Sequence, residues 1–318
     1  MVISMKRDDV DNINNHMEIT QGRTGFLMGL AAYTIWGSFP LYFKALVHVP
    51  AAEVLAHRII WSAACLLVFV ALTGAGAQLR SMLRDKRTLA TLVLTTLLIS
   101  TNWFVFIYAV VAGKLLESSL GYYINPLVSI FLAAVFLGER LTGRQKLSIA
   151  LAATGVIVQT VMVGSLPVIS ITLAFTFGLY GLIRKAARVP ALTGLAMEMT
   201  LLSPLALAYI FWLMSGNRLV FMTGAKNTDI LLLLAGLVTV TPLILYGGAL
   251  NRLRLSTMGI MQYIVPTAHF AWAVFAFGEQ FTTGHLVSFG FIWAGLVLYS
   301  SGFMGLSRLV TQTALKIN

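Results

Sequence analysis

The sequence predicts an all-α integral membrane protein of ten transmembrane helices, built as two inverted five-helix repeats with both termini in the cytoplasm. Three observations carry this prediction. The 318 residues are 58% hydrophobic and only 10% charged, whereas a soluble domain carries about 25% charged residues. Apolar stretches recur at lengths that can cross a bilayer, and the chain matches itself at a separation of 140 residues. Low charge suits an outer surface that faces lipid.

Ten predominantly apolar stretches have the roughly 20 residues that a helix needs to cross the hydrocarbon core. They cover 25–43, 52–73, 88–112, 117–137, 146–163, 168–183, 191–214, 228–250, 256–277 and 284–303. The two halves are 25–164 and 165–304, with polar cytoplasmic tails at 1–24 and 305–318. The first tail lacks the basic start and apolar core of a secretory signal peptide, so we expect it to be solvated and poorly ordered.

The distribution of basic residues orients the spans, because Lys and Arg are enriched in cytoplasmic loops. With the N-terminus inside, all but five of the 22 Lys and Arg residues fall on the cytoplasmic side, the five being Lys44, Arg58, Lys114, Arg218 and Lys226. A count of nine or eleven spans would scramble this separation. The net charge of +11 is not gathered on one face or domain, which argues against nucleic acid as a partner.

The internal repeat accounts for the division into halves. The stretch YINP at 123–126 recurs as YIVP at 263–266, and GE at 138–139 recurs at 278–279. Further matches at the same separation join Thr142, Ser148 and Gly155 to Thr282, Ser288 and Gly295. Each repeat holds five helices, so the second must enter the membrane from the opposite side. Inverted repeats are typical of transporters that alternate between inward-open and outward-open states.

Several of these motifs resemble a known family. The GE pairs, each followed by Thr three residues after the glutamate, resemble the EamA-type repeats of the drug/metabolite transporter superfamily. The stretches GLAAYTIWG at 29–37, EVLAHR at 53–58 and TNW at 101–103 resemble the RarD-type permeases, often labelled chloramphenicol-sensitive proteins. The resemblance covers about 25–304. It implies a multi-pass permease of the bacterial inner membrane, with a central cavity lined by spans one, three, four, six, eight and nine.

Two prolines at equivalent places are candidate gating points. Pro126 and Pro266 fall near the middle of the fourth and ninth spans. Proline removes one backbone hydrogen bond and clashes with the carbonyl four residues back. We therefore expect the carbonyls of Tyr122 and Gln262 to be free for a ligand, and the two kinks to act as rocking points. A static kink buried between helices explains the same residues equally well.

Aromatic and amide side chains surround those prolines and recur in the first and third spans. Aromatic faces with a few amides suit a flat, partly polar molecule. The candidate substrate-binding residues are Tyr33, Trp36, Asn102, Trp103, Tyr122, Tyr123, Asn125, Gln262 and Tyr263. The alternatives are aromatic anchoring at the membrane interface and, for the asparagines, hydrogen bonds between helices.

Three titratable side chains are predicted inside spans. His269 and Glu198 are candidates for proton coupling, and Arg58 is a candidate contact for an anion. The plainer interpretations are a neutral histidine bonded to a carbonyl, a glutamate near the cytoplasmic interface with no obvious basic partner, and an arginine that snorkels. Arg58 and Glu198 match at the repeat separation, but inversion places them at different depths, so we expect no direct bridge between them.

The sequence carries no signature of an enzyme. It has no Cys/His metal spacing, no Gly-rich phosphate loop and no nucleophile elbow, so no catalytic residue, metal or cofactor is predicted. The function that the sequence predicts is a permease, monomeric or homodimeric, that moves a small organic metabolite or drug by alternating access. A proton gradient or exchange would drive it. The competing hypothesis is a non-transporting membrane scaffold or lipid-interacting protein, whose centre would be packed with apolar side chains.

Overall fold

The computed structural model describes residues 7–187, 189–224, 226–253 and 255–315, and these ranges are helical apart from their connections, with no strand. Within them, nine helices are long and apolar enough to cross a membrane. Their outer faces carry exposed apolar side chains such as Leu72, Val161 and Phe275. Such a surface suits a helical bundle surrounded by lipid.

The first half of the chain contains seven helices. They are α1 (Arg7–Gly37), α2 (Phe39–Ala45), α3 (Ala51–Leu72), α4 (Gly76–Arg84), α5 (Lys86–Val111), α6 (Leu115–Leu137) and α7 (Gly143–Val163). The predicted first span is observed as α1 followed by the short α2. The short α4, which the sequence did not predict, lies in the connection between the second and third spans, and α3, α5, α6 and α7 correspond to spans two to five.

The second half contains six helices and a π-helical turn. They are α8 (Val168–Ala187), α9 (Ala191–Ser215), α10 (Lys226–Leu250), α11 (Leu255–Met261), α12 (Ile264–Ala271), the π-helical turn (Trp272–Ala276) and α13 (Thr283–Leu315). The helices α8, α9, α10 and α13 correspond to spans six, seven, eight and ten.

The helices at the two ends of the described chain extend beyond the predicted first and tenth spans. The backbone of α1 is helical from Arg7 onward, and that of α13 continues to Leu315. Propagating an existing helix adds one hydrogen bond for each residue that becomes ordered, so a polar extension can follow a membrane span without a new nucleus.

The predicted ninth span is not one continuous helix. It is divided into α11, α12 and the π-helical turn, with a break at Gln262 and Tyr263. Pro266 is the third residue of α12. Residues in the first turn of a helix make no intrahelical hydrogen bond through their N–H, so proline, which has no N–H, breaks none there. The Gln262 carbonyl, expected to be free, accepts a hydrogen bond from the Val265 N–H at 3.2 Å. Pro126, by contrast, lies inside the continuous α6.

Sequence-related residues pack against each other reciprocally where α7 meets α13. A Cβ atom on Gly155 would lie 2.9 Å from the Ser288 carbonyl oxygen, and one on Gly295 would lie 2.9 Å from the Ser148 carbonyl oxygen. The Ser288 hydroxyl also donates to the Gly155 carbonyl at 2.8 Å. The same reciprocity relates other helix pairs, since α1 packs on α10 as α8 packs on α5, and α3 packs on α10 as α9 packs on α5.

Candidate functional site

A central aromatic cluster, formed by Phe43, Phe106, Tyr122 and His269, lies where α2, α5, α6 and α12 meet. The Phe106 ring stacks on His269 with centroids 5.1 Å apart. It also contacts Tyr122 and Phe43, each at 5.8 Å, and Tyr122 reaches His269 at 5.6 Å. Two of the predicted site residues, Tyr122 and His269, are therefore in direct contact. Phe43 and Phe106 were missed, because a phenylalanine in an apolar span carries no signal of its own.

His269 is buried and tied to the first span. Its Nε2 lies 3.2 Å from the Trp36 carbonyl oxygen, which can only accept, so Nε2 carries the proton in this contact. Nδ1 is buried with no hydrogen-bond partner among the described residues. This is the carbonyl-bonded histidine of the plainer interpretation, and its second ring nitrogen, Nδ1, remains as an acceptor without a partner among the described residues.

A second aromatic group joins α1 to α10. Tyr33, Trp36 and Tyr246 contact one another with ring centroids 5.6 to 6.0 Å apart. The Tyr33 hydroxyl donates to the Met258 carbonyl of α11 at 3.1 Å. Both predicted residues of the first span thus lie together beside the broken ninth region, with Tyr246 as an unpredicted third member.

Asn102 and Trp103 are neighbours in sequence, but their side chains contact different parts of the bundle. The buried Asn102 donates through Nδ2 to the Leu173 carbonyl and the Thr176 hydroxyl, both at 3.0 Å. It therefore joins α5 to α8 through hydrogen bonds between helices, which is the alternative to substrate binding that the sequence left open for this residue. Trp103 instead presents its ring face to Arg58.

Arg58 is enclosed by aromatic rings and is only 4% exposed. Its guanidinium carbon lies 3.8 Å from the centre of the Trp103 ring, and 5.5 and 5.7 Å from the rings of Phe39 and Phe43. Its Nε donates to the Thr239 hydroxyl of α10 at 2.9 Å. These separations are those of cation–π contacts. The guanidinium is enclosed rather than snorkelling toward an interface.

Tyr123 and Tyr263 line a groove of about 320 Å³ rather than the central aromatic cluster. The remaining lining residues are Trp293, Leu296, Val297 and Ser300. Val297 is 70% exposed, so the groove opens toward the outside of the bundle. The Tyr123 hydroxyl is 2.8 Å from the Thr267 hydroxyl of α12, which ties α6 to α12.

The two remaining predicted amides are half-buried near the prolines. The Asn125 Oδ1 atom is buried and has no hydrogen-bond partner among the described residues, so this amide retains a free acceptor inside α6. Gln262 lies at the break that separates α11 from α12.

Glu198 has a basic partner, which corrects the expectation that it has none. Its Oε1 lies 3.4 Å from Nη1 of Arg184 and accepts from the Thr95 hydroxyl at 2.6 Å. Tyr180 donates to its Oε2 at 3.2 Å. The helix α8 continues to Ala187, beyond the predicted end at 183, and so carries Arg184 into the bundle. The predicted absence of a bridge between Arg58 and Glu198 agrees with these separate sets of partners.

Two further carboxylates, not included among the predicted site residues, accept hydrogen bonds from backbone N–H groups. Glu279 accepts from Leu115 and Leu116, the first two residues of α6, at 2.7 and 2.8 Å. The buried Glu53 accepts through Oε1 from Val220 and Phe221 at 2.9 and 3.0 Å. Among the described residues, no group of three or more His, Cys, Asp or Glu side chains could hold a metal ion.

Comparisons with known proteins agree with this architecture. A family model described as the EamA-like transporter family matches residues 23–161. A protein from Salmonella typhimurium named Protein RarD is 43% identical, over 89% of this chain and 96% of its own. A Vibrio cholerae protein named Uncharacterized transporter is 42% identical, over 87% of this chain and 92% of its own.

A more distant relative and a solved structure extend the similarity. A Pseudomonas aeruginosa protein named Chloramphenicol-sensitive protein RarD is 32% identical, over 86% of this chain and 92% of its own. One crystal structure matches with a TM-score of 0.55 and 19% identity, covering 86% of this chain and 96% of that one, which indicates a shared fold. The chain therefore belongs to the EamA-like transporter family, within its RarD group, and is a multi-pass membrane transporter.

Proposed function

We propose that the protein moves a small, partly aromatic organic molecule across the bacterial inner membrane by alternating access. The observation that carries the proposal is the composition of the centre of the bundle. Tyr122 and His269 meet there, and Trp103 and Arg58 lie beside them. Polar and ionisable groups inside a membrane are costly and usually face a substrate pathway.

Two inverted repeats of five spans each supply the moving parts in this proposal, with both termini in the cytoplasm. The reciprocal contacts of Ser148 and Gly155 with Gly295 and Ser288 support such a relation. Matching glycines support it too, since Gly138 and Gly278 both adopt left-handed backbone angles, with φ of 66° and 68°. In this proposal, the divided ninth span crosses the membrane in addition to the nine long helices, which makes ten crossings. It resembles the discontinuous helices that often form transporter binding sites.

The competing function, a non-transporting scaffold or lipid-interacting protein, predicts an apolar centre. Burying a charge or an unpaired polar atom has no benefit in such a protein. Arg58, Glu198 and His269 are all buried within the bundle, and Nδ1 of His269 lacks a partner among the described residues. These groups favour transport.

Uptake into proteoliposomes tests the proposal directly. Chloramphenicol, aromatic amino acids and small aromatic acids and amines would first be screened for thermal stabilisation of the purified protein, and hits then tested for uptake. Tyr122→Ala and Trp103→Ala should each reduce uptake at least tenfold, because each removes a ring beside the pathway. Phe275→Ala, which removes a ring that is 81% exposed, is the matched control and should retain the wild-type rate.

Two results would contradict the proposal. In one, no compound is moved by the wild-type protein. In the other, uptake is the same in Tyr122→Ala, Trp103→Ala and Phe275→Ala.

Imposing a pH gradient then separates proton coupling from exchange. A rate that rises with the gradient in the wild type, and not in His269→Asn or Glu198→Gln, would assign the coupling proton to that side chain.

A further inference from the structure

We infer that the transported molecule carries an anionic group, a carboxylate or a phosphate, and that Arg58 binds it. The inference rests on the proposed transport function and adds a substrate class to it. The juxtaposition that carries it is a buried guanidinium, stacked on Trp103 beside the central aromatic cluster, whose Nη1 has no hydrogen-bond partner among the described residues.

The charge of Arg58 has no counter-ion among the side chains that the structure describes. Their two ion pairs are Lys114 with Glu117 and Arg184 with Glu198. Glu53, in the first turn of the same helix, binds the backbone of the loop after α9 through Oε1. Its Oε2 is buried and has no hydrogen-bond partner among the described residues, Arg58 included. An uncompensated charge inside a membrane protein is costly and marks a functional position by default.

The surroundings of Arg58 hold the guanidinium without neutralising it. The ring of Trp103 covers one face, and the Thr239 hydroxyl accepts from Nε at 2.9 Å. Because Nε is bonded and the face is stacked, the orientation of the planar group is set before a ligand arrives. The unpaired Nη1 is one of the planar guanidinium's N–H donors, whose arrangement matches the oxygen atoms of a carboxylate or phosphate. A water molecule could bond to Nη1, but it would leave the positive charge uncompensated.

The position of Arg58 also indicates which protein side chains the rest of the transported molecule would contact. Phe43 is 5.7 Å from the guanidinium carbon and 5.8 Å from the ring of Phe106, so the arginine borders the central aromatic cluster. An anion bound at Nη1 would therefore place an attached ring or apolar group against Phe106 and Tyr122. With Arg58 only 4% exposed, the described conformation is closed around this position.

A set of four probes of similar shape tests the inference. Phenylacetate and phenyl phosphate carry the anion, phenylacetamide is neutral and phenethylamine is cationic. Each is applied to proteoliposomes adsorbed on a solid-supported membrane, where the sign of the transient current reports the charge that moves, and uptake is measured separately. We expect the wild type to take up one or both acids, with a current of negative sign when no proton or counter-anion moves with the acid, and to take up the amide and the amine at least tenfold more weakly.

Substitutions at Arg58 connect the response to this residue. Arg58→Gln should weaken binding of the acid at least tenfold, and Arg58→Lys should restore part of it, since lysine keeps the charge but not the planar fork. The control is Arg218→Gln. Arg218 stacks on Trp212 at the same 3.8 Å, but it is exposed, and its replacement should leave the response unchanged.

Thermal unfolding without ligand separates a binding role from a structural one. In Arg58→Met the Thr239 hydroxyl loses the hydrogen bond from Nε of Arg58 but still donates to the Ala235 carbonyl at 2.8 Å. The substitution therefore leaves the Thr239 hydroxyl with a hydrogen-bond partner. A binding residue predicts a midpoint equal to or above that of the wild type, because the uncompensated charge is gone. A large fall in the midpoint would indicate a structural arginine and overturn the inference.

The transport outcomes are distinct. A response to phenylacetate alone supports a carboxylate ligand, and a response to phenyl phosphate alone supports a phosphate ligand. Equal responses to the amide or amine, unchanged in Arg58→Gln, overturn the anionic substrate and leave the transport function standing. No response of the wild-type protein to any probe, of any charge, counts against the transport function and the inference together.

Discussion

Replacing Glu279 should loosen the attachment of the ninth region to α6. The two carboxylate oxygens of Glu279 accept hydrogen bonds from the N–H groups of Leu115 and Leu116 at 2.7 and 2.8 Å. These donors have no partner within the helix, and Lys114, at the N-cap position, provides no side-chain cap. A residue distant in sequence therefore caps the start of α6.

The magnitude follows from those two bonds. A hydrogen bond to a charged group contributes about 1.5–3 kcal/mol, and a negative charge at a helix N-terminus adds about 0.3–1 kcal/mol. In Glu279→Gln one oxygen remains as an acceptor, while the amide NH₂ faces the other N–H. We expect a loss of about 2 kcal/mol, near half of the total. Glu279→Ala removes both acceptors and should cost more.

Thermal unfolding of the purified protein measures this loss. For a chain of 318 residues, an unfolding entropy of about 2.1 cal/mol/K per residue converts about 2 kcal/mol into a fall of roughly 3 °C in the midpoint. Glu139 provides the control, since it follows the equivalent glycine in the first repeat but is exposed. Glu139→Gln should change stability by less than about 0.5 kcal/mol. Equal shifts in the two variants would refute the assignment of the cap to Glu279.

Three further predictions concern other parts of the bundle. Glu198→Leu leaves the guanidinium of Arg184 without its carboxylate inside the bundle and should cost about 3–5 kcal/mol of unfolding free energy in a denaturant titration. Gly155→Ala places a Cβ 2.8–2.9 Å from atoms of α13, and the overpacking should cost about 1–3 kcal/mol in the same titration. Hydrogen bonds from the Thr88 hydroxyl and from backbone N–H groups hold the pKa of Asp85 below its usual range. Because the folded-state pKa is depressed, the cap is present at neutral pH and is lost as pH falls through that pKa, below about 4. The protection factor of the Thr88 amide against hydrogen exchange, which is taken relative to the intrinsic rate at each pH, should then fall.

Each of these predictions has a matched comparison. For Gly155 it is Gly181→Ala, at a helical glycine where a Cβ would meet no atom within 4 Å. Equal losses in the two variants would show that close packing is not the cause. For Asp85 it is Asp85→Asn, which should abolish the acid-induced change in exchange. A loss below about 1 kcal/mol in Glu198→Leu would mean that Arg184 finds a compensating partner after the substitution.

The sequence by itself determined the membrane helices, because their length is set by the thickness of the bilayer and their composition by contact with lipid. The predicted second span, 52–73, is observed as α3 from Ala51 to Leu72, and the fourth, 117–137, as α6 from Leu115 to Leu137. The cap of α7 is equally local, since the Thr142 hydroxyl accepts from the Gln145 N–H three residues later. These features depend on residues that are near one another in the chain.

The tertiary structure alone decided which side chains meet. A helix that is apolar all round does not indicate its own rotation about its axis, so the sequence could name Arg58 and Trp103 without joining them. It could not bring Phe39 and Thr239 to the same guanidinium, or turn Arg184 toward Glu198. The break at Gln262 and Tyr263 also escaped prediction, because the apolar composition continues through it. Rotation and interruption are set by contacts between helices far apart in sequence, and those contacts exist only in the folded bundle.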